Sequence, residues 1–388
     1  AALVTAGLFV MGGTAQSLAP DMLSVGLSRF VVGIASGAAS TVGPVYLREI
    51  SPPSLSGAMG TVMQLSITLG ILVADLLAFP WATADGWRRL FGFTAMLAGA
   101  QLVLSPLMAE SPRWLLMRDR DSKEARAVVA KIRGLQDEEE IENAAQEILK
   151  ETEEDGQESA EGNNQNEHDL RAERNDNGNA GISELFRDRS VRLPLITALL
   201  VSTAQQLCGI NAVFYYSSMF FDGIVSNPLV GTTAVGTVNV LFTLVALCIM
   251  GKCGRKTLIM VSSSGMFACC IVIVMSLRGF FPNIVALAAV NLYVAVFNLG
   301  LGPIPFLIVP ELFGHKYVAT AVSVSLFANW MCNFTVGMTF PYMHKYMGAY
   351  SFLPYAGVLM ATFLFAWGWM PETGPTRDRR NSGEGTNL

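Results

Sequence analysis

Long apolar stretches alternate with short polar connections along almost the whole chain. A helix needs roughly 20 mostly apolar residues to cross a hydrocarbon core of ~30 Å. Ten stretches meet that need, at residues 1–18, 23–47, 58–79, 90–108, 194–221, 229–250, 257–277, 283–309, 317–341 and 350–370. The pattern therefore predicts an all-α membrane protein with about ten spans, four before and six after a long polar segment.

The polar segment between the fourth and fifth spans has a different pattern. Apolar side chains recur at helical spacing in Ser122–Gly134 and in Asp137–Ile148, and both stretches start with polar or acidic residues. These features predict two amphipathic helices outside the membrane. Residues 152–182 have almost no apolar side chains, so they are predicted to lack fixed structure. A plain linker is favoured there over a partner-binding segment.

Composition supports lipid as the solvent for most of the chain. Hydrophobic residues make up 52% of the 388 residues and charged residues 15%, against about 25% charged in an average soluble domain. Of the 31 acidic and 26 basic residues, 21 and 12 lie within 118–192. The remaining residues cannot cover a soluble fold with charge. A soluble enzyme, a nucleic-acid-binding protein and a secreted disulfide scaffold are therefore excluded as main interpretations.

Cysteine and histidine residues do not indicate a metal or cofactor site. The six cysteines lie in or at the ends of apolar runs without metal-ligand spacing, as expected of small apolar side chains on membrane helices. The three histidines lie outside the predicted spans. No cofactor and no metal are expected.

The positions of Lys and Arg predict how the chain is oriented in the bilayer. One side has only Arg88, Arg89, Arg278 and Lys345. The opposite side collects Arg48, Arg113, Arg118, Arg120, Lys252, Arg255, Lys256, Lys316, Arg377, Arg379 and Arg380. Because Lys and Arg are enriched in cytoplasmic loops, the long polar segment and the C-terminus are predicted to be cytosolic. The plasma membrane is the expected location.

Two similar segments suggest an internal repeat. Gly43-Pro44 and Gly302-Pro303 are each followed by a carboxylate at the cytosolic boundary of a span, Glu49 and Glu311 respectively. These would be equivalent positions in a twelve-span protein of six plus six helices that lacks its first two helices. Such parallel repeats are typical of major facilitator transporters. The predicted parts are a partial N-terminal bundle at 1–109, a cytosolic loop at 110–192, a C-terminal bundle at 193–371 and a cytosolic tail at 372–388.

Amide side chains inside the predicted spans are the main candidate chemistry. Gln205, Gln206 and Asn211 lie close together in one span, and Gly209 between them allows the backbone to approach a ligand or unwind. An amide both donates and accepts hydrogen bonds, which suits a polyhydroxylated ligand without introducing charge. Any single amide could instead bond between helices. Further amides on other spans are Gln64, Asn239, Asn298, Asn329 and Asn333, and Phe306 and Trp330 offer apolar faces for a pyranose ring.

Charged residues at span ends suggest a second function. Arg29, Glu49, Arg113, Arg255 and Glu311 are the candidates for carboxylate–guanidinium latches between two bundles, since bidentate pairs can form and break. Isolated charges that only set the orientation are the alternative. Asp75 is an isolated acid in the third span, and a snorkelling or cavity-facing residue is favoured there over a proton carrier.

Seven segments together resemble the sugar porter family, which contains facilitative glucose transporters and sugar–proton symporters. The segment QQLCGINAVFYYS is similar to the seventh-helix motif of that family. The other matches, in the family order, are RFVVGIASG with PVYLREISPPSLSG, ESPRWLL, GKCGRKTL, GLGPIPFLIVPELF, NWMCNF and PETG. The resemblance implies a major facilitator fold without its first two helices, and a hexose bound between the halves near mid-membrane.

The resemblance also implies a role for individual residues. The sugar contacts it implies are Gln64, Gln205, Gln206, Asn211, Asn239, Asn298, Phe306, Asn329 and Trp330. The cytosolic latch it implies consists of Arg29, Glu49, Arg113, Arg255 and Glu311. Departures from the family pattern are Ser56, Gly251 and Val318 at charged positions, Phe306 at a Trp position and Asn298 at a position that several glucose facilitators fill with Glu.

The functional prediction is a carrier that moves a hexose, glucose first, by alternating access. The sequence has no nucleophile–base pair or phosphate-binding loop, so an enzyme is not expected. The alternatives are a sugar sensor that does not transport and an inactive fragment of a sugar–proton symporter. The partners expected are the hexose and the lipid bilayer, with a proton as the alternative coupling ion and no nucleic acid. In proton-coupled relatives the carrier acid lies on the first helix, which is absent here.

Overall fold

A computed structural model describes residues 2–51, 56–120, 122–161, 181–189, 191–221, 227–313 and 315–373. Helices make up most of these residues, and no strand occurs among them. They form two compact units, residues 1–59 with 76–161 and residues 60–75 with 162–388. The predicted all-helical architecture is confirmed for the part of the chain described.

The first unit contains helices α1 (Ala2–Leu18), α2 (Met22–Ile50), α4 (Trp87–Leu104) and the end of α3 (Ser56–Trp81). α1 packs against both α2 and α4. Gly13 allows the close approach to α4, since a Cβ there would lie 2.8 Å from the backbone nitrogen of Ala95. Before α2, the Asp21 carboxylate accepts a 2.7 Å hydrogen bond from the Ser24 N–H and caps the helix.

Three helices of the polar segment complete the first unit. They are α5 (Pro112–Arg118), α6 (Lys123–Arg133) and α7 (Glu138–Glu161). α6 begins at the capping side chain of Ser122 and ends before Gly134, whose φ of 69° suits a residue without a Cβ. Both amphipathic stretches predicted from the sequence are helical.

The absence of fixed structure predicted for 152–182 is wrong over 152–161, because α7 continues to Glu161. Glu, Gln and Ala are good helix formers, and they extend a helix that tertiary packing has already nucleated. Residues 162–180 of that prediction lie outside the described residues.

The second unit holds the remaining helices and residues 60–75 of α3. They are α8 (Ile182–Arg187), α9 (Arg192–Leu207), α10 (Ile210–Phe221), α11 (Pro228–Met250), α12 (Arg255–Leu277), α13 (Asn283–Leu299), α14 (Ile304–Leu312), α15 (His315–Met347) and α16 (Leu353–Gly368). α12 packs against α13 and α16, α9 against α15, and α11 against α13. One apolar core runs through these contacts.

Each of the ten predicted spans coincides with helical residues. Among the described residues, eight segments are long and apolar enough to cross a membrane. The last of them, Tyr317–Gly368, contains two predicted spans, and α1 is a shorter apolar helix. Two predicted spans are interrupted. The span at 194–221 is α9 and α10, and the span at 283–309 is α13 and the first part of α14. The interruptions matter because they lie at the candidate site.

Candidate functional site

The break between α9 and α10 is built by Gly209 and supported by two tyrosines. Gly209 has a φ of 87°, which an L-residue with a Cβ rarely adopts, and the Tyr355 ring lies where that Cβ would be. The Tyr293 hydroxyl donates a hydrogen bond to the carbonyl oxygen of Cys208, which the break removes from the helical ladder. The break therefore places Gln205 and Gln206 at the end of one helix and Asn211 at the start of the next.

Five amides and a phenol from α9, α10 and α15 form a continuous hydrogen-bonded group, here called the amide cluster: Gln205, Gln206, Asn211, Tyr215, Asn329 and Asn333. Asn329 Nδ2 donates to Gln205 Oε1 at 2.7 Å, and Gln206 Nε2 donates to Asn329 Oδ1 at 2.9 Å. Gln206 Oε1 accepts from Asn211 Nδ2 and from Asn333 Nδ2. The Tyr215 hydroxyl donates to Asn333 Oδ1 at 3.0 Å. The structure thus brings together residues up to 128 positions apart in the chain.

A second, smaller group joins α11 to α13. Asn298 Nδ2 donates to Asn239 Oδ1 at 2.7 Å, and the Thr243 hydroxyl donates to Asn298 Oδ1 at 3.0 Å. All three side chains are buried. Neutral amides buried in this way need such partners, because an unpaired polar group in an apolar interior is costly.

Gln205 connects the amide cluster to the other interrupted span. Its Nε2 donates a 2.6 Å hydrogen bond to the carbonyl oxygen of Gly302, in the turn between α13 and α14. A carbonyl in such a turn has no helical N–H partner, and the Gln205 amide supplies one. The Gln205 side chain therefore forms hydrogen bonds at both interruptions, the one after α9 and the one before α14.

The remaining predicted sugar contacts lie outside these two groups. Gln64 is buried on α3 within the second unit. Trp330 follows the buried Asn329 on α15 but is 47% exposed, so its ring is not buried with the amides. Phe306 is half-buried on α14. Of the nine residues, the structure joins Gln205, Gln206, Asn211 and Asn329 in one group, and Asn239 and Asn298 in another.

Two of the predicted latch residues form an ion pair within the second unit. Arg255, which is 5% exposed, donates to Glu311 Oε1 from Nη2 at 2.9 Å and from Nε at 3.2 Å. Its Nη1 donates to the Met250 carbonyl oxygen at 2.6 Å. The pair links the start of α12 to the end of α14.

The other three latch residues belong to the first unit. The Arg29 guanidinium lies 5.9 Å from the centre of the Phe91 ring, within range of a cation–π contact. Glu49 is half-buried near the end of α2, and Arg113 lies in the first turn of α5.

Comparison with known proteins identifies the family. Residues 1–375 match the family described as "Sugar (and other) transporter". The chain belongs to this sugar transporter family. The resemblance inferred from the seven motifs is therefore confirmed. As a member, the chain is an integral, multi-pass membrane protein in a family of sugar carriers.

Relatives and solved structures agree with this assignment. Facilitated glucose transporter member 3 of Canis lupus familiaris is 35% identical over 378 residues, which cover 96% of this chain and 72% of that protein. A partially occluded, inward-open structure of the xylose transporter XylE from E. coli has a TM-score of 0.75 at 26% identity, over 100% of this chain and 82% of that one. The proton:xylose symporter XylE bound to 6-bromo-6-deoxy-D-glucose has a TM-score of 0.74 at 25% identity, over 96% and 80%. The fold is that of the major facilitator superfamily.

Sequence reasoning missed several residues of this sugar transporter. Thr243 and Tyr293 are hydroxyl donors that complete hydrogen bonds at the two groups, yet a single hydroxyl in an apolar span carries no signal of its own. Glu372, in the PETG motif, accepts a 3.1 Å hydrogen bond from the Lys256 N–H and caps α12 from a distant part of the chain. The one signal for Glu372 in the sequence was its position just after the last predicted span.

Proposed function

We propose that this protein carries a hexose, D-glucose first, across a membrane by alternating access, and that the amide cluster binds the sugar. The amide cluster at the break between α9 and α10 is the observation that carries the proposal. It offers neutral donors and acceptors side by side on three helices of a sugar transporter. The solved relative that binds a halogenated glucose supports a hexose as the ligand.

Exchange of hydrogen bonds explains how such a cluster binds a sugar reversibly. Amide–amide bonds such as Gln206 to Asn329 can be replaced by amide–hydroxyl bonds in equal number. Each exchange has a small net free energy, because a typical neutral hydrogen bond contributes only about 0.5–1.5 kcal/mol. Several small gains give moderate affinity, which lets the carrier release its substrate.

The interrupted spans supply a means of alternating access. Discontinuous helices at the substrate site recur among secondary transporters, where gating parts move around a fixed site. Here α10 follows Gly209 and α14 follows the turn at 300–303, so either half-helix can tilt without breaking a continuous ladder. Binding at Gln205 competes with its bond to Gly302, and sugar binding is thereby coupled to α14.

Charged residues complete the proposed mechanism. The proposed latch of the cytosolic mouth comprises Arg255 and Glu311, which pair within the second unit, and Glu49 and Arg113 of the first unit. Arg29 does not fit this role, because it lies 20 residues before Glu49 on the continuous helix α2, about 30 Å away at 1.5 Å per residue. The long polar segment and the C-terminal tail then lie in the cytosol, and the carrier lies in the plasma membrane. The predicted bundles are residues 1–109 and 193–371. No catalytic step is involved.

Uptake by proteoliposomes tests the proposal. The purified chain should take up radiolabelled D-glucose and exclude L-glucose, which has the same composition but mirrored hydroxyls. Asn298→Ala should lower uptake, because it removes two contacts between α11 and α13. Asn291→Ala is the matched control, since this amide on the same helix donates to its own-helix carbonyl at Leu287. Equal uptake of both enantiomers, or none of either, would overturn the proposed function.

A further inference from the structure

Asp75 is an acidic residue within an apolar helix. It is the one Asp, Glu, Lys, Arg or His between Val62 and Trp81, an apolar stretch long enough to span a membrane. It lies six residues before the end of α3, about 9 Å along the axis at 1.5 Å per residue. Ionisable groups at such positions are costly, so they are candidates for a function by default.

One oxygen of the Asp75 carboxyl faces a neighbouring helix. Its Oδ2 atom is buried and has no hydrogen-bond partner among the described residues. The atom points to α11 within the second unit, where a Cβ added to Gly236 would lie 2.7 Å from it. Only a glycine allows the acid so close to that helix.

A second unpartnered oxygen lies on the same face of α11. The Thr233 hydroxyl is also buried without a partner among the described residues, and it precedes Gly236 by three residues, which places it one turn away on that face. A protonated carboxyl can donate to such an oxygen, whereas a carboxylate can only accept. The unpartnered Thr233 hydroxyl and Gly236, against which Asp75 Oδ2 lies, therefore share one face of α11.

No other charge compensates the acid at this contact. α11 contains no Asp, Glu, Lys, Arg or His, and Cys248 is its one titratable side chain. Within α3, Asp75 is likewise the sole charged residue. Among the described residues, Asp75 forms no ion pair. A buried charge without a partner is neutralised by binding a proton.

Resting on the proposed function as a sugar carrier, we propose that Asp75 is a proton-binding site that closes the contact between α3 and α11. The carboxylate takes one proton from water when the helices separate, and the resulting acid packs against Gly236 when they approach. Release returns the proton to water, and only the O–H bond forms and breaks. A proton shifts this equilibrium through its different affinity for the two arrangements. The proton is thereby linked to the transport cycle.

Transport at two pH values tests the site. In proteoliposomes, D-glucose uptake by the parent should change at least about threefold between about pH 8 and about pH 5, since one proton permits up to tenfold per pH unit. Asp75→Asn should change less than about twofold. Asp85→Asn, in the exposed turn after α3, is the matched charge control and should behave as the parent. Gly236→Ala should weaken the response, whereas Gly70→Ala, with nothing within 4 Å of the added methyl, should keep it.

An infrared titration gives a readout that does not depend on transport. The difference spectrum of the parent minus Asp75→Asn should contain a protonated-carboxyl band that grows as the pH falls from about 8 to about 5, above the range of an exposed Asp. If the difference spectrum lacks that band, or if Asp75→Asn keeps the parent's pH response, the proton site is wrong while the carrier stands. If no variant takes up sugar, the carrier function fails, and the infrared band alone decides the proton site.

Discussion

The side-chain amide of Gln205 donates a 2.6 Å hydrogen bond to the carbonyl oxygen of Gly302. These two residues belong to different interrupted spans, and the bond ties the end of α9 to the turn before α14. The same side chain accepts a hydrogen bond from Asn329 on α15. A ligand that engages Gln205 therefore acts on three helices at once, which is what a carrier needs to convert binding into movement.

Shortening an amide of the cluster should weaken sugar binding. Gln205→Ala and Asn211→Ala should each lower D-glucose affinity roughly 2- to 13-fold, the equivalent of one hydrogen bond of about 0.5–1.5 kcal/mol. Binding of labelled D-glucose to purified protein measures this, with Asn291→Ala as a control that keeps the parent's affinity. Parent-like binding by both cluster variants would show that the sugar binds elsewhere.

The buried group of Asn239, Thr243 and Asn298 should contribute to stability as a unit. Asn298→Leu leaves the Asn239 carbonyl oxygen and the Thr243 hydroxyl without this partner, at a cost of about 1–3 kcal/mol. Thermal unfolding in detergent measures the loss. The triple variant with Asn239→Leu and Thr243→Val should regain much of it, because no polar partner is then left unpaired. Equal losses in the single and triple variants would contradict this coupling.

Gly209→Ala should damage the break between α9 and α10. A residue with a Cβ at a φ of 87° is strained by about 1–2 kcal/mol, and the added methyl would also overlap the Tyr355 ring. Lower thermal stability and lower uptake are expected together. Tyr355→Ala lowers stability by itself because it removes a buried ring, so the test is a double-mutant cycle. Gly209→Ala should cost less in the Tyr355→Ala background than in the parent, but should still cost the backbone strain. No remaining cost in that background would mean that overlap alone makes Gly209 necessary.

Glu311→Gln should weaken the connection between α12 and α14. It removes the charge from two hydrogen bonds of the buried Arg255, and each charge-assisted bond is worth about 1.5–3 kcal/mol. In the proposed latch this loss moves the population toward the inward-facing state, so cysteine probes in the outer vestibule should be labelled less. Arg255→Lys, which keeps the charge but loses the two-nitrogen contact, should have a smaller effect. Unchanged labelling in Glu311→Gln would show that Glu311 is only a charge at the boundary of a span.

Acid should loosen the contact between α6 and α7. A hydrogen bond from Arg126 to the carboxylate holds the pKa of Glu142 below its ordinary value of about 4.3. A carboxyl with a lowered pKa in the folded state stabilises the fold above its unfolded pKa, and that contribution is lost as the pH falls through the folded value. The protection of α7 amides against hydrogen exchange, relative to the intrinsic rate at each pH, should therefore fall below about pH 4. Arg126→Gln should remove this pH dependence; an unaltered profile would show that the pair contributes nothing.

The sequence alone determined the helices and the class of protein. In lipid, every backbone polar group must bond within its own segment, so length and hydropathy suffice to predict ten helical stretches. The helical spacing of apolar residues likewise predicted α6, whose ends are set by the neighbouring capping residues Ser122 and Gly134. The Gln205–Asn211 segment pointed to a sugar because residue type is visible in the sequence.

Only the tertiary structure decided which amides meet. Gln206 and Asn329 are 123 positions apart, and local periodicity does not encode which helix faces form a contact. The same holds for Thr243 with Asn298 and for Glu372 at the start of α12. The break after α13 and the closeness of Asp75 to Gly236 also arise from packing between helices. Hydropathy depends on each residue alone, whereas these bonds depend on the three-dimensional arrangement of pairs.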